Sequence, residues 1–502
     1  MRPGRRSWLA AAAILLAGCS SSTSVPNGPT STLTAYYAQH LDWQPCDNGF
    51  QCARLLVPFD YAHPGGRRFS LPVVRLPAKD PAHRVGDLVV NPGGPGGSGV
   101  QYALGARTEF PSAVLARFDV VGFDPRGVGG SEPAVSCLTG PELDTYLSTD
   151  EMPDNAAQLA TVVRQGRFFA SRCEQKARAL LPYVGTRNAA RDLDVLRAAL
   201  GQSRLTYLGK SYGTYLGTWY AQLFPHRVRA LVLDGAVDPE TTALQADITQ
   251  AEGFQAAFRS FTAWCLAASG CPFGQGASAS AVDAAAGRLE ALIVRANSFP
   301  LASRLGTGQV ADGAVLLYGV SSALYSKQFW PILKTGLVNA FRGDGTVLVQ
   351  LANLLLQRNP DGTYSNLVDA NTAVSCVDRP WPRSLPPWQA AASAAERAAP
   401  LFGASDVWGN LPCAYWPVPP APSVKIKAAG APPILVVGTT RDPATPYRWA
   451  RALASDLSSG VLLGWNGDGH TAYGEGSACV DTIVNAYLIS LKVPRGGTVC
   501  PR

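Results

Sequence analysis

Residues 203–238 read SRLTYLGKSYGTYLGTWYAQLFPHRVRALVLDGAVD. Leu205 to Leu208 is a short apolar run that ends in Gly209-Lys210-Ser211-Tyr212-Gly213. Thr214 to Leu223 has a helical pattern, and Val228 to Leu233 reads as a second strand. A strand, a G-x-S-x-G and a helix in succession are the setting of a nucleophile elbow. That turn is so tight that a side chain two positions from the serine would strike backbone, so glycine fits at 209 and 213. The helix would place its partially positive N-terminus beneath Ser211, where a developing anion is favoured. The bland alternative is a glycine-punctuated turn with a surface serine, and partners elsewhere in the chain must decide.

Working outward, Asp87 to Val90 is a strand followed by Asn91-Pro92-Gly93-Gly94-Pro95-Gly96-Gly97-Ser98-Gly99. This loop has neither the ending of a P-loop nor the spacing of a dinucleotide fingerprint. Its two prolines also remove N–H donors that a phosphate cradle would use. It suits an oxyanion loop, with donors from Gly94 and Tyr212 and Gly93 as a third candidate. Residues 118–131 form another strand and a glycine-rich turn containing Asp124 and Arg126. An Asp–Arg pair at that place is expected to brace loops beside the site.

A serine needs a base to lose its proton near neutral pH, and histidine is the usual one. Of the five histidines, His40, His63 and His83 lie among the early strands. His226 sits at the far end of the helix after Ser211, roughly 20 Å away along its axis. His470 follows a late strand, so it is the expected base. The third member holds the imidazole and stabilises its protonated form. Asp442, at the end of Pro433 to Gly438 and the residues after it, is the expected acid, and Asp468 is its rival. Asp468 stands only two residues from His470, a poor position from which to reach Nδ1. Thr445 could brace the acid loop through its hydroxyl. The order Ser211, Asp442, His470 is that of the α/β hydrolases.

The remaining chain fits this frame. Residues 137–185 are helical in pattern, and 187–201 form an amphipathic helix that leads into the elbow strand. Residues 240–405 are alanine-rich and helical, with many aromatics, and read as a cap over the carboxyl edge of the sheet. Trp264, Tyr325, Phe329, Trp330, Trp381 and Trp416 are aromatics of this region that either line a pocket or fill its core. The expected organisation is a leader at 1–18, a tether at 19–35, a hydrolase core at 36–239, a cap at 240–405 and the rest of the core at 406–502. The expected fold class is α/β, with a mostly parallel sheet, helices on both faces and an inserted helical cap.

Arg2, Arg5 and Arg6 precede an apolar stretch from Trp8 to Leu16 that ends in Leu16-Ala17-Gly18-Cys19. This resembles a bacterial lipobox, which implies lipidation of Cys19 and a chain anchored outside the cytoplasm on the cell membrane. The net charge of +7 includes those three leader arginines. What remains is too diffuse for a nucleic-acid stripe. Ten further cysteines suit an oxidising compartment. Sequential pairing gives Cys46–Cys52, Cys137–Cys173, Cys265–Cys271, Cys376–Cys413 and Cys479–Cys500. No C-x-x-C pair occurs, and neither a metal nor an organic cofactor is expected.

The chain resembles secreted bacterial tripeptidyl aminopeptidases and the lipoprotein proteases and carboxylesterases related to proline iminopeptidases. The resemblance rests on Trp43-Gln44-Pro45-Cys46, Val57-Pro58-Phe59-Asp60-Tyr61, the 91–96 and 124–127 loops, and Gly209 to Thr214. It extends to Asp442-Pro443-Ala444-Thr445-Pro446, Gly469-His470-Thr471 and Gly497-Thr498-Val499-Cys500. It implies a triad of Ser211, Asp442 and His470 and a cap that presents carboxylates to the free α-amino group of a peptide. Asp378, beside Cys376, is the candidate for that contact. Asn91-Pro92 stands where proline iminopeptidases carry His-Gly, so the bracing of the oxyanion loop is open. The expected substrate is a peptide or an exposed protein segment. A lipid or small ester is the second expectation, and a catalytically dead binding lipoprotein the third.

Overall fold

The central strands are apolar on both faces, the pattern of parallel strands covered by helices on both sides. The computed structural model describes residues 33–502 except Ala277. The leader, Cys19 and most of the tether lie outside the described residues. Ten strands form one sheet: β1 (Gln44–Pro45), β2 (Gln51–Pro58), β3 (Arg68–Leu76), β4 (Gly86–Asn91), β5 (Phe118–Phe123), β6 (Leu205–Lys210), β7 (Val228–Asp234), β8 (Ile434–Arg441), β9 (Gly460–Asp468) and β10 (Thr498–Cys500). Their order is β1-β2-β3-β5-β4-β6-β7-β8-β9-β10. The first three strands pair antiparallel, β3 joins β5 antiparallel, and every pairing from β5 to β10 is parallel.

The alternation of side chains divides the core into two layers. In β7, Leu231 and Leu233 face the helices Thr186–Ala199, Tyr212–Leu223 and Tyr447–Asp456. Ala230 and Val232 face the opposite layer, which includes Val114, Val480 and Val484. The parallel strands all end at one edge, so the turns after β4, β6, β8 and β9 converge there. This is the α/β-hydrolase architecture.

Three boundaries differ from expectation. Leu33, Thr34 and Ala35 are not tether: they open the helix Leu33–Tyr37, whose Tyr36 is buried and donates to the Pro64 carbonyl at 2.9 Å. The cap continues past 405, because that position falls inside the helix Gly403–Trp408. Val407, Trp408 and Leu411 are buried with Trp388 and Ala391 of the preceding cap helix. The third difference concerns residues 137–183, which bridge core and cap: Leu143, Tyr146, Phe169 and Leu181 are buried with Leu55 and Leu71 of the sheet, while the segment also reaches the cap cluster of Trp388. Val162 joins the same apolar cluster, and Arg358 donates to both oxygens of Asp144 at 2.7 and 2.9 Å.

The five disulfides join the sequential pairs. Cys137–Cys173 and Cys376–Cys413 close loops of 36 and 37 residues within the cap layer. Each such closure is worth about 2–4 kcal/mol. Among the described residues, no helix is long and apolar enough to cross a membrane.

Candidate active site

Ser211 lies at the β6 turn with φ 55° and ψ −128°, a strained backbone for a residue with a side chain. Its amide donates to the Asp234 carbonyl at 2.9 Å. The strain is held by close packing: a Cβ on Gly209 would come within 2.3 Å of the Gly213 carbonyl, and one on Gly213 within 2.8 Å of that of Asn91. The helix Tyr212–Leu223 begins directly behind the serine, so its N-terminal dipole points at the reacting centre.

His470 and Asp442 come to this place from β9 and β8. His470 Nδ1 lies 2.9 Å from Asp442 Oδ1. The other carboxylate oxygen accepts from the Thr471 amide at 3.0 Å and from the Thr445 hydroxyl at 3.1 Å. The amides of Ala444 and Thr445 donate to Oδ1 at 3.0 and 2.8 Å. Asp442 is therefore fixed by hydrogen bonds on both oxygens, and Thr445 braces it as its position in sequence suggested. With Nδ1 turned to the acid, Nε2 is the ring atom left for Ser211. It is buried and has no hydrogen-bond partner. The cap closes over the imidazole: the His470 amide donates to the Tyr325 carbonyl at 2.7 Å, and the Tyr325 ring meets the imidazole edge-on at 5.1 Å.

Asp468 does not compete for His470. Its carboxylate pairs with Arg441 and Arg502, and these cations hold it below the ordinary carboxylate range against the effect of burial. Asp124 and Arg126 also separate. Asp124 accepts from Ser98 Oγ at 2.6 Å, whereas Arg126 is buried and forks onto Asp192 at 2.5 and 2.6 Å. Both brace the loops, through different partners.

The oxyanion loop carries one correction. The Gly93 amide is committed to Asn91 Oδ1 at 3.0 Å, so Gly93 is not a donor to substrate. The amides of Gly94 and Tyr212 have no partner among the described residues, and both residues line a cavity with Ser211. Asn91 therefore answers how the loop is braced without His-Gly. From the cap, Asn371 Nδ2 donates to the Pro95 carbonyl at 3.0 Å. Gly93 itself must be glycine: its φ is 102°, and a Cβ would come within 2.8 Å of that of Ser211.

The cavity at Ser211 has a volume of about 200 Å³. Trp381 is on its wall, while Trp264 and Trp330 pack together in the cap core. Asp378 reaches it too, but its carboxylate accepts from the Thr186 amide at 2.7 Å and from the Thr186 hydroxyl. Burial raises it to about 6. This acid caps a core helix, and each of its oxygens already accepts one hydrogen bond from Thr186. Gln250 and Asn410 separate the cavity from a second one of about 190 Å³.

Around that wall stand three acids that sequence reading missed: Asp247, Asp406 and Glu151. Asp247 Oδ1 accepts from Asn410 Nδ2 at 3.1 Å, but Asp247 Oδ2 and Asp406 Oδ2 are buried without partners. Burial pushes Asp406 and Glu151 each up to about 8 and raises Asp247 strongly. None of the three is in an ion pair among the described residues. They stand far apart in the sequence, at positions 151, 247 and 406, on separate elements, so no spacing could have signalled them. Nor, among the described residues, do any three His, Cys, Asp or Glu side chains group to hold a metal ion.

An exposed-edge serine on a strained elbow, a late-strand histidine and a buried aspartate define a serine hydrolase of the α/β-hydrolase fold. Comparison with known proteins agrees. Serine protease Hip1 of Mycobacterium tuberculosis is 38% identical over 98% of this chain and 96% of its own length. Carboxylesterase B of the same species is 38% identical over 90% of this chain and 86% of its own. A tripeptidyl aminopeptidase of Streptomyces lividans is 34% identical over 92% and 86%. A family model described as TAP-like protein matches residues 399–500. The chain belongs to this family of TAP-like serine hydrolases, whose named members are peptidases and an esterase.

Proposed function

We propose that this enzyme cleaves peptides that have a free amino terminus, releasing a short amino-terminal fragment. The observation that carries this reading is a trio of acids: Asp247 on the wall of the Ser211 cavity, and Asp406 and Glu151 on the adjoining cavity that shares Gln250 and Asn410 with it. Buried carboxylates without partners are costly, and each is far more stable beside a cation. Among the described residues none of the three forms an ion pair, although Arg379 acts on Asp247 from the cavity wall, whereas a peptide's α-ammonium would bring a cation to them. A simple ester brings no such charge. The name of the Streptomyces relatives, tripeptidyl aminopeptidase, fits the same reading.

In this mechanism Ser211 Oγ attacks the scissile carbonyl while His470 Nε2 takes its proton. The Gly94 and Tyr212 amides hold the oxyanion, a contribution of roughly 3–4 kcal/mol per donor. His470 returns the proton to the departing amine, and the acyl-enzyme on Ser211 is then hydrolysed by water. Asp442 keeps the ring aligned throughout, with Thr445 bracing it.

The proposal extends to location. Leu16-Ala17-Gly18-Cys19 supports a lipid anchor on Cys19, which would hold the enzyme on the outer side of the cell membrane, where disulfides persist. Metabolic labelling with a fatty-acid probe tests this part: label should enter the wild-type chain and not Cys19→Ala, and label on both refutes it. The substrate reading is tested with a tripeptide amide, its N-acetylated twin and a short acyl ester. Faster turnover of the free-amino peptide supports it. Preference for the blocked peptide would make this an endopeptidase, and ester turnover alone would make it a carboxylesterase.

A further inference from the structure

The residue before the nucleophile is a buried lysine that the triad does not use. Lys210 ends β6, and its ammonium lies 3.1 Å from Glu475 Oε1. Glu475 stands in the turn that follows His470, where its amide donates to the Ala472 carbonyl at 3.3 Å. Across the sheet, Lys210 is the register partner of Asp234 on β7. Asp234 is fully buried and touches both Ser211 and the turn that follows His470. Its carbonyl accepts the Ser211 amide at 2.9 Å, and its carboxylate accepts the amides of Ala472 and Tyr473 at 3.0 and 2.9 Å.

We propose that Lys210 is a positioning residue: its ammonium, paired with Glu475 and placed by strand register beside Asp234, locks the turn after His470 onto the strand end that carries Ser211. Two carboxylates on one small joint repel each other, and a buried cation paired with one and near the other offsets the repulsion. Without it, Asp234 would favour its neutral form and weaken its hold on the Ala472 and Tyr473 amides. The carboxyl of Asp234 is already pushed up to about 6 by burial, with Lys210 opposing that shift. The groups facing Lys210 are Tyr102 from the helix Gly99–Leu104, Asp234 from β7 and Glu475 from the His470 turn. Asp481 lies next out and is fixed by the Gly474 amide at 2.9 Å. On its outer side Glu475 shares a cavity with His470, Asp468, Lys327 and Arg502.

The test uses steady-state kinetics of the full chain on one turned-over substrate, peptide or ester, so it does not depend on the substrate reading. Lys210→Met should lower kcat about tenfold or more, change KM by less than about twofold, and move the acid limb of kcat upward by about one pH unit. Lys210→Arg, which keeps the charge, should recover most of kcat and the wild-type limb. Lys210→Met combined with Glu475→Gln should be no worse than Lys210→Met alone, because both remove the same contact. A wild-type kcat and acid limb in Lys210→Met would overturn the proposal, as would independent, multiplying losses in the double variant. Should Lys210→Met not fold, Glu475→Gln alone decides: a threefold or larger loss of kcat supports the joint, and a wild-type rate refutes it.

Discussion

Two sets of buried carboxylates lie within this molecule, and they are treated in opposite ways. At the carboxyl edge of the sheet, Asp442, Asp234 and Asp468 each accept hydrogen bonds on both oxygens or pair with cations. In the cap, Asp247 and Asp406 each keep a buried oxygen without a partner, and Glu151 finds only a long contact to Tyr318 at 3.5 Å. A satisfied carboxylate holds geometry. An unsatisfied one keeps its capacity for a ligand, at a cost to the stability of the empty protein. The core acids thus explain how the reaction is aligned, and under the proposed function the cap acids are what selects the substrate.

The sharpest break in this division comes from the aligned set. Ser211→Ala should reduce kcat by about 10⁵-fold or more, on any substrate. Asp442→Asn should lose about 10⁴-fold, because the imidazole then has the wrong partner at Nδ1. Both are read by turnover assay, with circular dichroism to show that the fold persists.

The next effect separates the two sets. Asp406→Asn or Asp247→Asn should lower kcat/KM for a free-amino peptide by roughly 10- to 100-fold, the worth of one charged hydrogen bond. The same variants should leave turnover of a short ester within about threefold. A smaller and non-selective effect is expected at Asn91. Asn91→Ala frees the Gly93 amide and loosens the oxyanion loop, and should lower kcat for peptide and ester alike by about tenfold.

The last effect is in stability. Asp406 and Glu151 titrate near pH 8 in the folded protein, above their unfolded values near 4. A raised folded pKa means that the native state holds the proton more tightly than the unfolded chain. The resulting stabilisation is complete below about pH 4 and is lost as pH rises to about 8. Relative to Asp406→Asn, the melting temperature of the wild type should therefore decline steadily between pH 4 and 8 and then level off. A pH-independent difference would mean that Asp406 is already satisfied.

The comparison also shows what could be read from the sequence. Ser211, Asp442 and His470 were legible because each sits one turn beyond a strand, and a parallel sheet brings such turns to one edge whatever lies between them. Gly93 and Gly94 were legible as a loop, but not the division of their amides, which depends on the Asn91 side chain turning back onto Gly93. The cap was legible as a helical layer only. Its acids come from residues 151, 247 and 406, and nothing local marks them, since they meet through packing of distant helices. Asp378 stands out in sequence beside Cys376, yet its bond to Thr186, 192 residues earlier, is not visible there. The contact of residues 137–183 with the cap was hidden for the same reason: Val162 and Trp388 become neighbours only in the folded chain.

The most direct test of the selecting role of the cap is the ratio of kcat/KM for a free-amino tripeptide amide to that for its N-acetylated twin. It would be measured at pH 7 in the wild type and in Asp247→Asn combined with Asp406→Asn. The acids should make the ratio well above one in the wild type and bring it close to one in the variant, with ester turnover preserved. An unchanged ratio, or an equal loss on both peptides and the ester, would contradict the account and place amino-group recognition elsewhere.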